Sequence, residues 1–385
     1  MENTISIFSQ LLRLFSRTDF QKAVNKHQAE KGAKGFDSWS QFIAMLFAQL
    51  GRAHSLREIC QGLASVEGKI NHLGVKSAPA RSTLSYANAH RSYKVFEEVF
   101  FQLLERCQSI APGKKFRFKN KLYSLDATVI DLCLSIFDWA KFRRAKGAIK
   151  LHLLLDHDGY LPCFANMTEG SVHEIKVARS LDLLAGSIVA MDRGYVDFAF
   201  FDALGKKGVF FVTRLKENAV FEIQQEFSSP KGNILSDQLI RLPGSGTSFN
   251  PERVLRRIVI WCEEKQSPLL LLTNNRKLSS KTIAAIYKER WQIELFFKAI
   301  KQNLKIKTFL GTTSNAVQVQ IWTALIAILL LKYLKMRSSL SWSLSNLIAL
   351  LRLNLFVHRD LWTWLDEPFK PPPSIQLYSQ STLAL

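Results

Sequence analysis

Apolar residues recur every three or four positions through much of the first 107 residues. The pattern is plain in "WSQFIAMLFAQL" (39–50), "SLREICQGL" (55–63) and "TLSYANAHRSYKVFEEVFFQLLERC" (83–107), and it is the spacing that gives an α-helix one buried stripe. It predicts short helices first and a long one to close. Between them "GVKSAPARS" interrupts the pattern, so 55–91 has the layout of a helix-turn-helix. Ser82 or Thr83 would cap its second helix, which carries Ser85, Asn88, His90 and Arg91. Such a helix fits a DNA major groove, where Asn and Arg match base edges, and fits equally an ordinary helical hairpin with a polar outer face.

After the basic linker "APGKKFRFKNK" the period changes to that of strands. "LYSLDATVID" reads as a strand and "IKLHLLLDHDGYLPCFANM" as a hairpin turning at Asp158-Gly159. A helix "EIKVARSLDLL", a strand "SIVAMDRG", a helix "DFAFFDALGKKG" and a strand "VFFVTRL" complete the run. Three strands, helix, strand, helix, strand is the element order of a ribonuclease-H-like α/β domain. From about 216 to 267, the strand-like "AVFEIQQEF" and "RVLRRIVIWCEE" flank the turn-rich "LPGSGTSFNPE", which predicts an inserted β module before "PLLLLTNN" resumes a buried strand.

Acidic residues interrupt this pattern where they are costly. Asp126 sits in mid-strand on the face of Ser124 and Thr128, and an acid there needs a partner or a metal. Asp192 ends the fourth strand before Gly194, beside Arg193, where it could instead cap a turn. In "YKERWQIELFFKAIKQNLK" (287–305), read as one helix at about 100° per residue, Tyr287, Arg290, Glu294 and Lys301 fall within roughly 60° of one another. Ile286, Ile293, Phe297, Ile300 and Leu304 form a separate apolar stripe, and Glu289 lies on its side.

Charge then narrows the partners. The 385 residues carry 52 Lys and Arg against 32 Asp and Glu, a net +20 that attracts polyanions, nucleic acid before anionic membrane. The apolar run "IWTALIAILLLKYL" meets Lys332 after about eleven residues, short of the roughly 20 that span a bilayer. With no cleavable signal at the start, the expectation is a buried helix in a cytoplasmic protein with no membrane partner. The five cysteines lack CxxC or Cys/His spacing, which argues for reduced thiols and against structural zinc. Three carboxylates beside so much positive charge suit hard divalent ions, two of which stabilise the attacking and leaving oxygens of a phosphoryl displacement.

The spacing Tyr287-x2-Arg290-x3-Glu294-x6-Lys301 resembles the Y-R-E-K signature of DDE transposases of the bacterial insertion sequence four family. "LDATVID" and "AMDRGY" resemble the settings of that family's two aspartates, and the resemblance spans 116–334. It implies a ribonuclease-H-like core with a β-rich insertion. It also implies Asp126, Asp192 and Glu294 as catalytic ligands of two Mg²⁺ ions, with Mn²⁺ able to substitute. Tyr287, Arg290 and Lys301 would hold phosphates near the transposon end. The implied reaction cuts double-stranded DNA at terminal inverted repeats, passes through a hairpin and joins the 3′ ends to target DNA, with the protein dimeric at synapsis. A base flipped out for the hairpin would stack on an aromatic, by region and residue type Trp261, although Trp291 lies beside Arg290. Arg193, Asn88 and Arg91 join the DNA-binding set.

This gives a helical DNA-binding region over 1–112, a catalytic domain over 116–335, and a helical C-terminal region with a Pro-rich tail over 336–385. His173 and Asp197 read as helix starts, and Asp131 points away from Asp126. The cluster Arg143, Arg144 and Lys146 is a solvated loop or a DNA-backbone contact. A transposase-derived DNA-binding protein that no longer cuts, and a structure-selective metal-dependent nuclease, are the competing functions.

Overall fold

The structure, a computed structural model, describes residues 5–370 apart from 67–68, 114–115, 117, 134–136, 138, 144–145, 228–231, 243–253, 305 and 307. The chain opens with α1 (Ile7–Leu12), α2 (Arg17–Lys26), α3 (Ser38–Leu50), α4 (Leu56–Ala64), α5 (Arg81–His90) and α6 (Lys94–Ser109). Side-chain oxygens of Ser6, Ser16, Asp37 and Ser55 cap the first four helices. The expected caps Ser82 and Thr83 lie inside α5, which begins after Ala80 with no side-chain cap. What reads as one long helix to Cys107 is two, because Arg91 turns extended (ψ 134°) between α5 and α6.

The sheet-bearing half follows as β1 (Leu122–Leu132), β2 (Lys141–Arg143), β3 (Lys146–Asp156), β4 (Leu161–Glu169), α7 (Glu174–Ala178), β5 (Ile188–Met191), α8 (Phe198–Lys206) and β6 (Phe210–Arg214). Then come β7 (Glu222–Glu226), β8 (Ile234–Arg241), β9 (Val254–Cys262), β10 (Ser267–Thr273), α9 (Ser280–Glu289) and α10 (Trp291–Asn303). The chain closes with α11 (Ser314–Arg337), α12 (Leu344–Asn354) and α13 (Leu361–Asp366).

β1, β5 and β6 run parallel, with β3 antiparallel on the far side of β1 and β4 beyond it. That is the ribonuclease-H-like arrangement expected from the element order. The insertion is β-rich as expected, but it continues the same sheet past β10 through β9, β8 and β7 rather than forming a separate module. β8 was not visible in the hydrophobic pattern. Strand alternation sorts the core: Tyr123, Leu125, Val189 and Met191 pack toward α8, while Leu122, Ile188 and Ala190 pack toward α9.

α11 crosses from one half to the other. It runs on through Lys332 to Arg337, so the apolar helix is longer than the sequence suggests and is long and apolar enough to cross a membrane. Its most apolar stretch is 83% buried, however, against α3, α5 and α6 on one side and α10 and α12 on the other. One hydrophobic cluster accordingly joins Phe42 and Phe100 of the N-terminal helices to Leu151 and Leu153 of β3, to Ile293, and to Trp364 near the C-terminal end. The positions proposed as boundaries, near 112 and 335, fall close to helix ends but do not divide this core.

Candidate active site

Ser124 pairs with Ala190 and Leu125 with Met191, so the parallel register of β1 and β5 stops one residue short of Asp126 and Asp192. Asp126, still paired with Leu153 of β3, and Asp192, just past the end of β5, therefore stand at neighbouring positions where the β1–β5 pairing stops. Each has one oxygen fixed by a backbone amide: Ala127 N–H donates to Asp126 Oδ1 and Gly194 N–H to Asp192 Oδ1, both at 2.8 Å. Asp192 does cap the short turn Arg193–Tyr195, which is how its carboxylate is aimed. A side chain at 194 would press on Asp192 Oδ1 at 3.0 Å and approach Glu174 Oε2 at 3.4 Å, so the turn favours glycine.

The third acid arrives on α10. The helix expected over 287–305 is interrupted at Arg290, where bonds of the i→i−3 type flank the junction of α9 and α10. Ile286, Ile293, Phe297, Ile300 and Leu304 are buried as the stripe requires. Glu289 faces the same interior and accepts from Tyr160 Oη at 3.0 Å, which removes it from the site. Arg290 Nη1 donates to Asp126 Oδ2 at 3.2 Å and Nη2 to Glu294 Oε1 at 2.5 Å, so one guanidinium spans two of the three acids. The Tyr287 ring lies 5.6 Å from that guanidinium. Lys301 Nζ donates to Thr128 Oγ1 at 2.6 Å and to Val129 O at 3.0 Å, tying α10 to β1.

Burial pushes the Asp126 carboxyl up to about 7; the Ala127 amide and Arg290 oppose this, while the charges of Asp192 and Glu294 add to it. Such a cluster is short of positive charge. Among the described residues no three acidic, His or Cys side chains already stand at chelating distance. The donor set nevertheless fits a hard divalent ion, being three carboxylates brought to one sheet edge, with Arg290 providing a cation between two of them.

Cation-lined clefts flank the acids. One of about 630 Å³ is bordered by Arg193, Arg214, Lys216 and Glu217. Another of about 500 Å³ runs from Asp126 and Glu294 to Lys298, Lys301 and Gln302. Arg193 is exposed, as a phosphate contact requires. The sequence did not single out Arg214, Lys216 and Lys298, which line these clefts. A signal existed for the first two: "TRLK" ends the strand parallel to the one that delivers Asp192, and so reaches the same sheet edge.

Two further assignments are corrected. Asn88 is 2% exposed, shares its amide with Gln41 and Met45, and gives its carbonyl to Asn315. Arg91 donates to the Phe36 carbonyl and lies over the Phe36 ring. Asn88 is thereby taken out of reach of a duplex and Arg91 is half-buried, while the outer face of α5 carries Arg81, Ser82, Ser85 and Tyr86, the last 67% exposed and stacked on His90 at 4.1 Å. Trp261 is half-buried on β9 opposite Pro268, whereas Trp291 is 54% exposed next to Arg290. His173 precedes α7 and Asp197 caps α8, both at helix starts as expected. Asp131 is exposed on β1. Arg144 and the side chains of Arg143 and Lys146 lie outside the described residues.

A strand order of ribonuclease-H type with acids from β1, β5 and a later helix defines a class of metal-dependent phosphoryl-transfer enzymes. The chain belongs to the family of the transposase DDE domain, whose model matches residues 117–330, and a domain of unknown function (DUF4372) matches residues 3–76. It is 32% identical to a putative transposase, y4zB, of Sinorhizobium fredii (strain NBRC 101917 / NGR234), over 74% of this chain and 80% of that protein. It is 28% identical to a probable transposase for insertion sequence element IS5377 of Geobacillus stearothermophilus, over 66% and 67% of the two chains. Superposition on a piggyBac transposase synaptic complex with hairpin DNA gives a TM-score of 0.42 at 10% identity, covering 95% and 82%, too distant to carry an argument. The expected resemblance to insertion-sequence transposases and the expected enzyme class stand. DDE domains depend on divalent metal as a class.

Proposed function

We propose that this transposase binds the terminal inverted repeats of its own insertion sequence, cuts the DNA there and joins the freed 3′ ends to target DNA. The observation that supports this best is the meeting of Asp126, Asp192 and Glu294 at one sheet edge between cation-lined clefts. Two divalent ions, Mg²⁺ or Mn²⁺ in its place, would be held by these three carboxylates and would supply Lewis-acid stabilisation of the attacking and leaving oxygens. The chain's own residues do the rest. The backbone amides of Ala127 and Gly194 fix one oxygen of each aspartate, and Arg290 holds the second oxygen of Asp126. Arg193, Arg214 and Lys216 on one side, and Lys298 and Lys301 on the other, hold flanking phosphates in line.

In the first step water attacks the phosphorus and the 3′ oxygen leaves, taking a proton. In the second, the free 3′-hydroxyl attacks the phosphorus of the opposite strand, the flanking 3′ oxygen leaves with the proton and a hairpin closes, which water reopens before the final transfer. Trp291 is better exposed than Trp261 to stack a displaced base. α5 presents Arg81, Ser82, Ser85 and Tyr86 to the duplex, and two protomers meet when two ends are paired. The reaction takes place in the bacterial cytoplasm, where the DNA is. The test is a labelled duplex bearing the element's terminal repeat, incubated with Mg²⁺ and the intact chain or Glu294→Gln. Hairpin and joined products from the parent alone are expected. Binding without cutting by both would make the chain a DNA-binding relative, and cutting without joining would make it a nuclease.

A further inference from the structure

Tyr195 follows Gly194 in the turn that aims Asp192, and it is 1% exposed. Its ring packs in the core between β5, α8 and β6, yet its hydroxyl has no hydrogen-bond partner among the described residues. Buried tyrosine hydroxyls normally find one, and leaving one without is destabilising. The charges that act on it are informative. After burial, the carboxylates of Asp126, Glu174 and Asp192 push its pKa upward, so it remains a protonated donor near three acceptors and bonds to none of them. Arg290 Nε is a second buried donor without a partner among the described residues, on the guanidinium that spans Asp126 and Glu294. Glu174 is engaged by Lys150 at 3.3 Å. Of the three acids, Asp126 and Asp192 are the ones that the metal–carboxylate reading makes ligands.

We propose that Tyr195 is a positioning residue whose hydroxyl, unpartnered in the metal-free protein, donates directly or through one water to Asp126 or Asp192 once a divalent cation is bound, and so fixes which oxygen that carboxylate presents to the cation. This rests on the metal–carboxylate reading above. Carboxylate ligands are themselves oriented by hydrogen bonds, and losing such a partner weakens metal binding by about 10–100-fold. A tyrosine that only packs would be replaced by phenylalanine without any effect on metal.

The experiment measures Mn²⁺ binding to the intact chain by electron paramagnetic resonance, together with thermal unfolding in EDTA, for the parent, Tyr195→Phe and Asp126→Asn. Tyr195→Phe is expected to melt at or above the parent in EDTA and to bind Mn²⁺ at least about tenfold more weakly. Parental Mn²⁺ affinity in Tyr195→Phe, with binding lost in Asp126→Asn, overturns the role of Tyr195 alone. A clearly lower melting temperature for Tyr195→Phe overturns it too, because the hydroxyl would then be bonded in the resting protein. Mn²⁺ binding unchanged in Asp126→Asn, or absent from the parent, removes the metal–carboxylate reading and this inference with it.

Discussion

Arg290 Nη1 stands 3.2 Å from Asp126 Oδ2, and those side chains are 10% and 18% exposed. The same guanidinium reaches Glu294, so an arginine does between these acids what a divalent cation would do more strongly. Without either, two carboxylates with the charge of Asp192 nearby repel one another in a poorly solvated site. Removing one partner of a buried pair costs about 3–5 kcal/mol. With Glu294 33% exposed, we expect about 2 kcal/mol for Arg290→Met in EDTA, or roughly 2–4 °C in melting temperature. Excess Mg²⁺ should narrow the gap between variant and parent. Calorimetry of both chains with and without Mg²⁺ reads this directly, and an unchanged gap would mean that the ion does not take over the arginine's role.

Lys301 raises a different question, since its ammonium touches Thr128 Oγ1 and Val129 O. If phosphate binding is its main work, Lys301→Met should weaken binding to the transposon end and lower the slope of log affinity against log salt by about one. Thr128→Val removes one acceptor but leaves the charge, and should keep affinity within about twofold. Equal losses in the two variants would assign Lys301 to holding α10 against β1.

How much of this was legible follows from the range of each signal. Asp126 stood out because period-2 alternation makes a mid-strand acid conspicuous, and the stripe from Ile286 to Leu304 because helical spacing is local. Asn88 was misread because what buries it is distant: Gln41 lies 47 residues away, and Asn315 227 residues away on α11. No pattern within a single helix carries that information. The breaks at Arg91 and Arg290 were hidden for a related reason, since neither is a glycine or proline and the surrounding tertiary contacts decide the backbone there. The insertion's extension of the main sheet depended on β8, whose "ILSDQLIR" places Asp237 and Gln238 in buried positions that interrupt any hydrophobic run.

That Asp237 is compensated by Arg256. Its carboxylate receives Nε at 2.8 Å and Nη2 at 2.7 Å, while Nη1 donates to Leu278 O at 2.6 Å, and the two side chains are only 8% and 6% exposed. The bond joins β8 to β9 and then to the segment leading into α9, so it connects the insertion to the helix pair that bears Glu294. Asp237→Ala strands a buried guanidinium and should cost about 3–5 kcal/mol. Urea unfolding of the intact chain measures it. A loss below about 1 kcal/mol would show that the carbonyl contacts suffice.

His152 gives the chain a pH-dependent contribution with a definite sign. It is 1% exposed on β3, its Nε2 is 2.8 Å from Thr168 Oγ1, and burial followed by the charge of Lys150 pushes its pKa down to about 4. In the unfolded chain an imidazole titrates near about 6.5. Between the two values the unfolded state binds the extra proton, so stability falls on acidification from pH 6.5 toward 4, by up to about 1.4 kcal/mol per unit. Above pH 6.5 this residue contributes no slope. His152→Gln keeps a polar group for Thr168 and removes the titration, so the stability difference between the two chains should be constant above pH 6.5 and shift toward the variant below it. Urea unfolding at pH 7.5, 6 and 5 isolates the effect, because other groups titrate equally in both chains. A difference that does not move over that range would mean that His152 is protonated within the fold.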